Sequence, residues 1–167
     1  MIVKQRLTLL INSCINRRSV LISSGILFIL ACSLPALEFR RNENGEELWG
    51  GGQALALGWL GIFMGQVAWY ANPVALLAAV LLILRRRKLS VICAILALLI
   101  SLDTFSLYDK KISADEGDVN HLYLKRVREG AYVWQASIGV LLVGALVIRS
   151  RQVQTTGTVA RLSESGR

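Results

Sequence analysis

Histidine occurs once in the 167 residues, as His121, so no multi-histidine transition-metal site forms within one chain. Cysteine occurs three times, and Cys14, Cys32 and Cys93 share no aqueous loop, which predicts no disulfide. No CxxC or Cys/His cluster offers a zinc or haem site. A serine nucleophile elbow, an HExxH pair, a glycine-rich loop leading to Lys and Ser/Thr, and paired carboxylates within an apolar run are all missing. No catalytic residue, metal or cofactor is therefore assigned. Charge is scarce at 18% against 54% hydrophobic residues, too little polar surface for one soluble domain of this length. Internal repeats are absent, which leaves a single domain.

What the chain does have is long apolar runs. No charged side chain occurs between Glu47 and Arg85, and four runs reach or exceed the ~18 residues that cross a ~30 Å bilayer core. These runs predict an all-α multi-pass membrane protein, an antiparallel four-helix transmembrane bundle with a broken second span. The spans are expected at about 19–37, 54–84 with a break at 72–73, 89–108 and 131–148. They make one domain over 1–149, followed by a disordered cytoplasmic tail over 150–167, rich in Ser, Thr and Gly. The basic residues set the orientation. Twelve lie in the N-terminal segment, the Arg85 to Lys88 loop and the tail, against seven on the other side, where nine carboxylates also sit. Both termini are expected in the cytoplasm. The net charge of +8 is then a topology signal, since a nucleic-acid binder would gather its cations and aromatics on one folded face.

Within the second run, Ala54, Gly58, Gly61, Gly65 and Ala68 recur at helical spacing, a small-residue stripe suited to close helix contact. The stripe runs on to Asn72, which suits a helix N-cap, with Pro73 at the first helical position, where its missing N–H leaves no bond unmade. That pair marks a helix break and a possible ligand site. Trp59, Trp69, Tyr70 and Trp134 read as interfacial anchors or packing. Asp103 is the one ionisable residue inside an apolar run, either an interfacial acid or a proton or cation group. The loop acids Asp115, Glu116 and Asp118, with Asn120, match no calcium loop of known geometry. After them, Val119, Leu122, Tyr123 and Val127 suggest a short amphipathic helix on the outer surface, and Val3, Leu7, Leu10 and Cys14 one on the inner surface. Ile29 to Cys32 has the outline of a lipidation site, but the apolar run continues to Leu37, which favours an uncleaved anchor.

GWLG at Gly58 to Gly61, AWYANP at Ala68 to Pro73 and YVWQAS at Tyr132 to Ser137 together resemble a set of small bacterial inner-membrane proteins with the pattern GWLG, AWxANP and YxWxAS. The resemblance implies a bacterial multi-pass protein and no particular activity. The expected role is non-enzymatic: an accessory or interaction subunit in the lipid bilayer, packing through the small-residue stripe against another membrane protein or a second copy. An immunity protein against a membrane-acting toxin, and a small ion or proton conductor using Asp103, are the alternatives.

Overall fold

A computed structural model describes residues 16–41, 45–109, 111–113 and 121–165. The first helix, α1 (Arg17–Ser33), opens with the Asn16 N–H bonded to the Ser19 hydroxyl oxygen at 3.0 Å. It stops because Pro35 disfavours helical geometry at the residue before it. Leu34 is extended at φ −97°, ψ 155°, and Pro35 starts a strand, β1 (Pro35–Arg41), where the sequence pattern had continued the span to Leu37. β1 pairs antiparallel with β2 (Gly45–Gly50) on one side and β4 (His121–Val127) on the other. β3 (Lys111–Ser113) flanks β4, so the strand order is β2-β1-β4-β3.

This sheet overturns the all-α expectation, and it also replaces the surface helix expected around Leu122 to Val127. Leu122 and Leu124 point inward with Tyr123 exposed between them, a strand alternation too short to be told from a helix by pattern alone. The register then slips by one, with Glu38 opposite Arg126 and Phe39 opposite Leu124. Lys125 is the extra residue of that bulge, which leaves Lys125 and Arg126 both outside and returns Val127 to the core. Phe39, 1% exposed, sits among Leu37, Leu107, Leu122, Leu124 and Ala131 under the sheet.

The run expected as one long broken span folds back on itself. It forms α2 (Gly51–Leu57), a 3₁₀ segment Gly58–Met64, a reversal at Gly65, a second 3₁₀ turn Ala68–Tyr70, and then α3 (Ala71–Ile83). Gly65 carries φ +68°, a left-handed conformation open to glycine at no steric cost, and Gln66 N–H closes the turn on the Gly61 carbonyl at 2.8 Å. The break therefore falls at Gly65. Asn72 is not the cap: Tyr70 is, and Asn72 and Pro73 lie in the first turn of α3, where a missing N–H still costs nothing. Ala54 to Ala68 cannot form one helical stripe, since the chain reverses among them.

After a turn through Arg85, φ 63°, α4 (Arg87–Ser101) continues as a 3₁₀ segment Leu102–Asp109, and α5 (Glu129–Ser165) closes the chain. The helical backbone of α5 runs through the tail expected to be disordered. α1 packs along α5, α3 along α4, and α4 along α5. Small residues make these approaches: Ala78, Ala94 and Ala145 are fully buried, and the Ser90 hydroxyl donates to the Ala78 carbonyl at 2.8 Å. Among the described residues two helical stretches are long and apolar enough to cross a membrane, Arg87–Asp109 and Glu129–Ile148. The four-span bundle is thus corrected. α1 has 17 residues, and the 3₁₀ breaks divide the second run into shorter pieces.

Candidate functional site: an apolar cavity under the sheet

The sheet does not sit flush on the helices. Between them lies a cavity of about 290 Å³. Phe28, Ala31 and Cys32 line it from the end of α1, Leu37, Phe39 and Trp49 from the sheet, and Gly130, Ala131 and Trp134 from the start of α5. Its remaining wall is the folded-back run, including Ala54, Leu57, Gly58, Leu60, Gly61, Gln66, Ala68, Trp69 and Asn72. Thr104 and Leu107 complete the lining, and no Asp, Glu, Lys, Arg or His belongs to it among the described residues.

Five residues singled out by spacing, Ala54, Gly58, Gly61, Ala68 and Asn72, meet on this wall, though through a reversal rather than along a helix. Gly65 stands at the exposed turn, and Pro73 is exposed outside the lining. Glycine is needed where the two limbs touch. A Cβ on Gly58 would lie 2.6 Å from the Trp69 ring, and one on Gly61 3.2 Å from both Cβ and the carbonyl oxygen of Gln66.

Several polar groups at the wall are hydrogen-bonded within the protein. Trp69 Nε1 donates to the Leu55 carbonyl at 2.7 Å, and Trp134 Nε1 to Asn72 Oδ1 at 2.8 Å. Gln66 Nε2 donates to the Asp103 carbonyl at 2.8 Å, and its Oε1 lies 3.0 Å from the Ser106 hydroxyl. Asp103, singled out as an interfacial acid or a proton or cation group, holds the reversal. One carboxylate oxygen accepts the Val67 N–H at 2.7 Å and the other lies 2.9 Å from the Ser106 hydroxyl. Such bonds satisfy backbone that would otherwise be stranded in an apolar setting.

Gln66, Ser106 and Gly130 carried no signal in the sequence. Gly130 is required because a Cβ there would meet the Leu34 and Pro35 carbonyl oxygens at 2.9 and 2.8 Å, a contact between segments far apart in the chain. Cys32 and Cys93 are free thiols, Cys32 in the cavity wall. The acids Asp115, Glu116 and Asp118, with Asn120, and the N-terminal stripe lie outside the described residues. Among the described ones no group of three or more His, Cys, Asp and Glu is placed to hold a metal.

On the opposite face of β1, Glu38 is 8% exposed and bridges Lys125 Nζ and Arg128 Nη1, each at 2.9 Å, while Lys125 also reaches Glu46. The Lys125 bond first and the Arg128 bond second hold the Glu38 carboxyl below the usual carboxylate range. Glu46, then Glu38, holds the Lys125 ammonium above its usual range. The contribution of Glu38 to stability is thus present above the unfolded carboxyl value of ~4.3 and lost as pH falls through the lower folded value. That of Lys125 is present below ~10.4 and lost as pH rises through the higher folded value. Melting in detergent should accordingly fall on the acid side below pH ~4, and Glu38→Gln should flatten that limb while lowering the neutral-pH midpoint. An unchanged acid limb in Glu38→Gln would remove Glu38 as its source.

No protein-family model, curated protein or solved structure matches this chain.

Proposed function

We propose that this is a bacterial inner-membrane protein with two full spans, α4 with its 3₁₀ extension and α5, against which α1 and α3 pack as shorter helices that carry the chain between the cytoplasmic side, where both termini lie, and the sheet on the outer side. It works by binding rather than catalysis, as an accessory subunit whose site is the cavity under the sheet. The cavity itself carries this reading: about 290 Å³ lined almost wholly by apolar and aromatic groups, the composition of a site that holds a ligand. The small residues at its wall serve that site and not a flat face for a neighbouring helix. In this reading Asp103 serves the fold, its carboxylate accepting the Val67 N–H at the reversal.

Gentle detergent extraction followed by native mass spectrometry tests the binding role. The protein should carry an apolar adduct, and Ala54→Phe, which projects a ring from the wall into the space, should lose it. Protein free of adduct in both forms would end the binding reading. As a second readout of the same proposal, reporters fused after Lys88 and after Arg167 should be active on the cytoplasmic side and one after Ser113 on the periplasmic side; a periplasmic Lys88 would overturn the orientation.

A further inference from the structure

The cavity's rim is apolar. Leu57 and Leu60 line it and are also 48% and 40% exposed, and beside them Trp59, Ile62 and Phe63 face outward on the same 3₁₀ segment. Anything entering past this rim comes from an apolar phase. Water is a poor occupant: the volume would take on the order of ten molecules, each seeking 2–4 polar partners. Several polar side chains at the wall already have partners, Asn72 Oδ1 with Trp134 and Gln66 with the Asp103 carbonyl.

Depth points the same way. Arg87 Nη1 donates to the Ile148 carbonyl, which puts the inner ends of α4 and α5 at one level. Trp134 lies ~21 Å along α5 from Ile148 at 1.5 Å per residue. That is the outer third of a ~30 Å hydrocarbon core, where phospholipid chains of the outer leaflet begin. The indole of Trp134 also suits this depth.

We infer that the cavity takes one acyl chain of an outer-leaflet phospholipid, which enters sideways past Leu57 and Leu60 and lies against Trp69 and Trp134 under the sheet. This deepens the binding role proposed above and rests on it. Burial of the chain exchanges lipid contact for protein contact, so selectivity comes from shape: a slender hydrocarbon fits where a folded peptide segment does not.

Phosphatidylcholine vesicles with brominated chains provide the test, since bromine quenches indole fluorescence on contact. In Trp59→Phe the three remaining tryptophans, Trp49, Trp69 and Trp134, all line the cavity. Emission from this variant should be lower in brominated than in plain vesicles, and adding Ala54→Phe should restore most of the loss. No loss in Trp59→Phe would overturn the inference. So would a loss that Ala54→Phe leaves unchanged, because the indoles would then meet lipid from outside. If Ala54→Phe does not fold, Ala68→Leu obstructs the cavity from another part of its wall and is judged by the same criterion. Absence of quenching together with a non-lipid adduct in the mass spectrum would remove the acyl chain and leave the binding role standing; absence of both would remove both.

Discussion

Gly51→Ala should lower stability by ~3 kcal/mol or more, the largest single effect expected from adding one methyl group, because the new Cβ runs into the Ala31 carbonyl oxygen. The contact has no easy relief. Gly51 donates its N–H to the Leu34 carbonyl at 2.9 Å, so the chain is tied at the point where β2 passes into α2 across the end of α1. A flexible side chain could turn aside, whereas the obstacle here is backbone with its own bond from Leu34 N–H. The neighbouring Gly50 has open space where its Cβ would go, and Gly50→Ala, a change at an N-cap, should cost under ~1 kcal/mol. Thermal unfolding of the two variants in the same detergent provides the comparison. Equal midpoints would mean that the α1 to α2 crossing opens without penalty, and the cavity wall would then not be rigid.

The second large effect lies inside the wall. Gly58→Leu should displace the Trp69 ring, with overpacking of ~1–3 kcal/mol and, if Trp69 loses the Leu55 carbonyl, a further ~1–3 kcal/mol for the unmade bond. The cost belongs to a pair, so a double-mutant cycle with Trp69→Leu should recover part of it. Phe63→Leu, at a side chain 81% exposed, should be near neutral in both stability and adduct binding. Independent, additive effects of Gly58→Leu and Trp69→Leu would separate the two residues and undo the folded-back wall. Gly61→Leu is expected to be milder than Gly58→Leu, since it presses on Gln66 at 3.2 Å.

The glycine and alanine spacing in the second run was legible, and so was the need for a break somewhere in that run. Where the break falls was not. Gly65 is one of several glycines in an apolar run, and its left-handed φ follows from contacts that its neighbours make after the chain has turned: Gln66 with the Asp103 carbonyl, and Val67 with the Asp103 carboxylate. Residues read as one face of a helix became two limbs of one wall. Asp103 stood out as a lone acid in an apolar run, and besides nearby Ser106 its partners come from a segment more than thirty residues away.

By itself the sequence determined an apolar chain with charge confined to blocks, the helical stretches of α4 and α5, the basic turn after α3 and, through Pro35, the end of α1. These are local quantities: hydropathy over a span's length, charge at its flanks, and the backbone limits of single residues. Only the tertiary structure decided the sheet and the cavity beneath it. β1 gains its second partner from β4, more than eighty residues further along, and a run as short as Leu122 to Val127 carries no sign of that pairing. Strand formation depends on hydrogen bonds to another segment, and the bulge at Lys125 erases the alternation that would have announced it. The cavity depends on further approaches between segments, since its volume is what remains when α1, the sheet, the folded-back run and α5 are brought together at the Gly51, Gly58 and Gly130 contacts.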